Sequence, residues 1–99
     1  MEPKTAQVEL TVEERERILE YVTLFHAGLE EKLRKKRSRN GYVKLELDLT
    51  ELDDLIGCIA REANETSKRW LENELQEIFD RLEGAQYELR LAQNRGLAF

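Results

Sequence analysis

The feature that most constrains the fold is a run of apolar residues in the last third of the chain, spaced alternately four and three positions apart. The run consists of Leu71, Leu75, Ile78, Leu82, Ala85, Leu89 and Ala92. In a helix of about 3.6 residues per turn this spacing places the side chains on one stripe. Because charged residues flank the stripe, the pattern is coiled-coil-like and predicts a long amphipathic helix.

The larger members of this stripe are the candidate protein interface. They are Leu71, Leu75, Ile78, Leu82 and Leu89. Either the chain's own first helix covers them, or a second copy of the chain does. A chain of 99 residues built from long helices buries less of its surface than a larger domain does. This favours a homodimer, and we expect the partners to be a second copy of the chain and one other protein.

Two further helices are predicted before this stripe. Thr11 followed by Glu14 has the spacing of a capping box, which starts a helix. Apolar residues then recur on one helical face, at Ile18, Val22, Phe25, Leu29 and Leu33. We therefore expect one uninterrupted helix over about residues 12–36. Thr50 followed by Asp53 repeats the capping pattern, and a change in the phase of the apolar stripe predicts a helix break near 64–67.

Strict alternation of apolar and polar residues predicts one strand over about 42–49. A lone strand cannot satisfy its backbone groups, so it needs a partner. The partner is either segment 7–10, parallel and joined through the first helix, or the same strand of a second subunit. A hairpin through Asn40 and Gly41 back to 37–39 is a third option, disfavoured because that segment has no apolar face. Segments 8–11 and 47–50 also resemble each other, which indicates a short β-α repeat.

These elements predict a helix-dominated α+β fold, with two or three long amphipathic helices and a minimal sheet. We expect residues 1–99 to form a single domain, with 1–6 frayed and 34–41 a basic turn region. The lone cysteine, the absence of a signal segment after Met1 and the absence of an apolar run long enough for a bilayer predict a cytoplasmic protein without a membrane partner.

One basic segment is a candidate for contact with an anion or a nucleic acid. It contains Arg34, Lys35, Lys36, Arg37 and Arg39, five of the sixteen basic residues of the chain. Clustered cations release counterions from nucleic acid, but cations also favour a helix C-terminus without any ligand. The net charge of −5 and the lack of interleaved aromatic residues argue against nucleic acid as the main partner.

No residue pattern indicates catalysis. His26 is the only histidine and Cys58 the only cysteine, and neither has a second metal ligand or a catalytic partner at a useful spacing. We therefore expect no enzyme activity, no catalytic residue, no metal and no cofactor. The sequence predicts a non-enzymatic protein-interaction module, a homodimeric accessory or regulatory protein. The alternative is a small dimeric nucleic-acid-binding regulator that uses segment 34–39.

Overall fold

Four helices and two short strands follow one another in residues 4–96, the part of the chain that the structure describes. The computed structural model contains β1 (Ala6–Thr11), α1 (Val12–Tyr21), α2 (Ala27–Lys35), β2 (Tyr42–Leu47), α3 (Leu49–Glu65) and α4 (Arg69–Gly96). The predicted helix-dominated α+β class is confirmed. Residues 1–3 of the segment predicted to be frayed lie outside the described residues, whereas Ala6 already belongs to β1.

The two strands pair with each other, but in the direction opposite to the one predicted. β1 and β2 are antiparallel, with Val8 opposite Leu45 and Leu10 opposite Val43. The prediction of a parallel crossover was wrong because two helices, not one, connect the strands. A second helix brings the chain back to the end of the sheet where β1 finished. Accordingly, the Val12 N–H donates to the Gly41 carbonyl at 3.0 Å, beside the start of β2.

The single helix predicted over 12–36 is interrupted after Tyr21. α1 ends with an extended Val22, and α2 begins after His26, whose ring Nδ1 accepts a hydrogen bond from the Leu29 N–H at 3.0 Å. His26 is therefore a helix cap. Phe25, which the apolar pattern placed on the buried stripe, lies in the interruption and is 72% exposed.

The second half of the chain follows its predicted order with one shift at the start of α3. The strand ends at Leu47, and the cap is Asp48, whose side chain accepts from the Glu51 N–H at 2.8 Å, not Thr50. The predicted break near 64–67 is confirmed, since α3 ends at Glu65 and α4 begins at Arg69.

The turn before β2 forms only the first residue pair of the disfavoured hairpin. Asn40 and Gly41 have positive φ values of 54° and 83°, as a tight two-residue turn requires. The turn is closed by a pair of hydrogen bonds between Arg39 and Tyr42. In the structure this is an isolated bridge and does not extend into a third strand.

The core lies between one face of the sheet and the helices. Alternate strand residues point inward, and α3 packs along α4. The side chains of the predicted interface, Leu71, Leu75, Ile78, Leu82 and Leu89, are all at most 3% exposed and belong to this same core. This chain therefore covers the stripe itself, but the expected cover by the first helix was wrong, because α3 and β1 are the elements that pack chiefly against α4.

Candidate functional site

The outer edge of β2 is only partly hydrogen-bonded. β1 occupies one edge of β2, and on the other edge Tyr42 exchanges main-chain hydrogen bonds of 2.7 and 3.1 Å with Arg39. Main-chain groups of alternate residues in an antiparallel pair face the same edge, so those of Lys44 and Glu46 also face outward. The Glu46 carbonyl accepts from Lys32 Nζ at 3.1 Å. Among residues 4–96, no further bond on this edge reaches the main chain of Lys44.

A groove of about 560 Å³ lies beside this edge, between β2 and α2. It is lined by Thr5, Gly28, Glu31, Lys32, Lys35, Lys36, Lys44, Leu45 and Glu46. We call it the basic groove, after its four lysines. Its size is within the range of small binding sites, and it is open to solvent along its length.

The four lysines of the basic groove differ in how far their charges are balanced. Lys32 forms a 2.7 Å ion pair with Glu51, and Lys35 forms one with Glu31. Lys36 and Lys44 have no ion pair within residues 4–96. The positive charge available to a ligand therefore comes mainly from these two residues, and Glu46, which also lines the groove and has no ion pair in the described part of the chain, reduces it.

The predicted basic segment contributes to the groove in part. Lys35 and Lys36 line it, whereas Arg34 turns aside to pair with Glu30 at 2.7 Å. Arg37 and Arg39 do not line the groove but are exposed and lie in the connection leading to β2. They extend the positive charge beyond the groove along the chain.

Sequence reasoning missed Lys32 and Lys44 as members of the site. Lys32 precedes Lys35 by one helical turn, which is a usable signal for a shared helix face. Lys44 is an outward residue of an alternating strand. Lys32 and Lys44 come together because α2 lies beside the free edge of β2, and no residue spacing in the sequence indicates that arrangement.

The edge of β1 is closed at the corresponding place. Arg81 donates to the Glu9 carbonyl at 3.2 Å and to both carboxylate oxygens of Glu14 at 2.8 and 2.7 Å. Burial by itself raises the pKa of Glu14. The hydrogen bonds from Arg81 and Thr11, with the charge of Arg81, outweigh burial and hold the pKa below its ordinary value of 4.5. The bond to Glu14 likewise raises the pKa of Arg81, against the effect of burial.

The candidate catalytic and metal-binding side chains do not come together. His26 caps α2, and Cys58 is a half-buried free thiol on α3. Cys58 borders a small pocket with Phe25 and Arg61. Within residues 4–96 there is no group of three or more His, Cys, Asp or Glu side chains placed to hold a metal ion.

Exposed apolar side chains mark two other surfaces. At one end of the molecule, Trp70 is 46% exposed, stacks edge-on against Tyr21 and lies under the Arg17 guanidinium at 5.1 Å. On the outer side of α4, Tyr87 is 66% exposed and Leu91 is 37% exposed.

No helix in residues 4–96 combines the length and the apolar character needed to cross a membrane. The chain matches no protein-family model, no curated protein and no solved structure.

Proposed function

We propose that the chain is a non-enzymatic protein-interaction module that binds an acidic segment of a partner protein in the basic groove. The observation that carries this proposal is the meeting of Lys36 and Lys44, which have no ion pair within residues 4–96, at a groove beside an open strand edge. Electrostatic complementarity of this kind gives specificity and raises the association rate.

The test is the binding of a synthetic acidic peptide to the purified protein, followed by fluorescence anisotropy at two salt concentrations. The double variant Lys36→Glu with Lys44→Glu reverses the two free charges and should weaken binding at least about tenfold, or about 1.4 kcal/mol. The matched control is Lys68→Glu with Arg69→Glu, which makes the same charge change at exposed positions at the start of α4. Equal affinity of both double variants would contradict the proposal.

Nucleic acid is the alternative anionic partner, and the same binding experiment tests it. Random duplex DNA takes the place of the peptide, and its binding is measured with the same two double variants. If DNA binds tightly through Lys36 and Lys44 and the peptide does not bind, the chain is a nucleic-acid-binding regulator and not a protein-interaction module. Arg34 and Lys35 already pair with Glu30 and Glu31, which leaves fewer cations for phosphate than the sequence suggests.

Self-association is a second proposal, and the outer surface of α4 favours it. Tyr87 and Leu91 are exposed and one helical turn apart, and a side chain added at Gly84 would meet nothing within 4 Å. Glu83 and Arg90 lie on the same side of this surface, at similar distances along the helix on either side of Tyr87. Arg90 pairs with Asp53 of its own chain at 3.3 Å. An antiparallel second copy would place each glutamate opposite this arginine, so that the charges on the surface complement each other.

Sedimentation at micromolar concentration tests the dimer. We expect the wild-type chain to sediment as a dimer and the Tyr87→Glu variant as a monomer, because the added charge is buried without a partner at the two-fold contact. Asn73→Glu adds the same charge at an exposed position nearer the start of α4 and should leave the dimer intact. A monomeric wild-type chain would remove this proposal and leave the groove proposal standing.

A further inference from the structure

We infer that the acidic partner segment binds the basic groove as an added β-strand along the outer edge of β2. This inference rests on the proposed function and specifies its binding mode. Strand addition joins an extended peptide to a sheet edge through main-chain hydrogen bonds, and side chains then set the specificity.

The outer edge of β2 has the main-chain groups that such a strand needs. The N–H and C=O of Lys44 face this edge, together with the N–H of Glu46. These three groups are what two alternate residues of an incoming strand would bond. Since Lys32 already occupies the Glu46 carbonyl at 3.1 Å, the free stretch is centred on Lys44.

The chain itself covers only the start of this edge, at Tyr42. Arg39 bonds to Tyr42 across the turn, in the position of a third strand. Further back, the Lys36 carbonyl accepts a 2.6 Å hydrogen bond from Arg15, which ties this part of the connection to α1. An added strand would therefore continue along the edge from the point where Arg39 leaves it.

The side chains around Lys44 fit an acidic segment, whereas Glu46, two residues further on the same face, favours an uncharged or basic residue opposite itself. In a strand, alternate side chains share a face. One acidic residue would lie beside Lys44, and Lys36 supplies a second free charge from across the groove. Tyr42, 46% exposed, offers an apolar contact next to Lys44 on the same face of the strand. Lysine on an open edge also discourages pairing with uncharged strands, which narrows the partner to an acidic one.

The first test uses a capped peptide of about eight residues that alternates glutamate and valine. Two forms of it carry backbone N-methyl groups on one or the other set of alternate residues. Only one set directs its N–H groups towards the edge, so one form should lose at least about tenfold in affinity and the other should bind like the parent. Amide exchange at Lys44 should slow at least about tenfold when the parent peptide binds.

A pair of variants gives an independent measurement. Lys44→Pro removes the outward N–H, which an edge position tolerates, whereas Lys44→Gln removes only the charge. Circular dichroism checks that both fold. The proline variant should bind the parent peptide more weakly than the glutamine variant by at least about fivefold, since only it has lost a main-chain donor.

The two proposals fail in different ways. Suppose that the parent peptide binds and that the Lys36→Glu and Lys44→Glu double variant weakens this binding. If both N-methyl forms then bind equally and the amide exchange rate of Lys44 does not change, strand addition is overturned, whereas binding of an acidic segment in the basic groove still stands. If neither the parent peptide nor its methylated forms bind at all, the proposed function itself is overturned.

Discussion

Glu14 connects three elements through one carboxylate. It accepts from the Thr11 N–H at 2.9 Å in the capping box of α1, and it accepts from Arg81 of α4 in a two-point contact. Arg81 at the same time holds the carbonyl of Glu9 in β1. A carboxylate that is only 8% exposed is costly to bury, and these bonds are what offset that cost.

The lowered pKa of Glu14 predicts an acid-sensitive contribution to stability. A folded-state pKa below the unfolded value means that the contribution is complete above about pH 4.5 and is lost as the pH falls through the lowered folded value. At pH 7 we expect Glu14→Gln to reduce the free energy of unfolding by about 2 kcal/mol, measured by urea denaturation. The difference from wild type should shrink as the pH falls below 4.5.

The control for this prediction is Glu20→Gln. Glu20 is exposed and has no ion pair within residues 4–96, so its substitution should change stability by less than about 0.5 kcal/mol at every pH. A difference between wild type and Glu14→Gln that stays constant down to pH 3 would show that the carboxylate charge of Glu14 contributes nothing to stability.

Single residues also show how far the sequence alone could go. The capping box of Thr11 and Glu14 depends only on their spacing of three positions, so it was predictable. The contact between Glu14 and Arg81 joins residues 67 positions apart, and no local rule could anticipate it. The same holds for Lys32 and Lys44, which meet at the groove only because the fold places their elements side by side.

At the scale of elements, the interruption between α1 and α2 explains the main error of prediction. Ile18, Leu29 and Leu33 are all buried, so the helical spacing continued to describe the core across a segment that is not helical. Histidine is an uncommon cap, and the start of α2 at His26 gave no recognisable signal. One missed helix end was enough to reverse the predicted direction of β2.

The turn before β2 and the middle of α3 should respond oppositely to the same substitution. Gly41 has a φ of +83°, so Gly41→Ala should destabilise the protein by about 1 to 2 kcal/mol. Gly57 lies inside α3, and an added Cβ would meet nothing within 4 Å, so Gly57→Ala should stabilise it by about 0.5 to 1 kcal/mol. Urea midpoints at unchanged denaturant slope measure both. Shifts of the same sign would contradict this account of the two glycines.

At the scale of the whole molecule, the two strand-to-helix junctions repeat each other. Thr11 and Asp48 are the caps, and Glu14 and Glu51 are the matching capping-box carboxylates. The register agrees with the repeat, because Val8 and its equivalent Leu45 face each other across the sheet, and the pair Leu10–Val43 is repeated on the other side as the pair Leu47–Ala6. The sequence indicated a repeat, but aligning threonine with threonine placed it out of step, since aspartate has taken the capping position in the second half.

The two halves differ in the helix that covers each sheet edge. α4 has 28 residues and lies against the edge of β1, with Arg81 at the Glu9 carbonyl. α2 has only 9 residues, and its Lys32 takes the corresponding place at the Glu46 carbonyl. The shorter helix leaves the stretch around Lys44 uncovered. The basic groove is thus a consequence of unequal coverage of two similar edges.

This repeat predicts that Arg81 and Lys32 stabilise their halves independently. They share no partner, since Arg81 contacts Glu14 whereas Lys32 contacts Glu51. We expect Arg81→Met to cost about 2 kcal/mol, because it breaks a two-point contact to a buried carboxylate. Lys32→Met should cost about 1 kcal/mol, because a single ammonium nitrogen contacts Glu51, whereas two guanidinium nitrogens of Arg81 contact Glu14.

A double-mutant cycle by urea denaturation tests this independence. The Arg81→Met and Lys32→Met effects should add to within about 0.5 kcal/mol, as separate sites do. The cycle of Arg81→Met with Glu14→Gln is the positive control, because these residues share one contact and removing the second partner should cost little more. Coupling above about 1 kcal/mol between Arg81 and Lys32, as large as in the control, would mean that the sheet transmits strain between its edges. Ligand binding beside Lys32 would then also change the stability of the opposite half of the molecule.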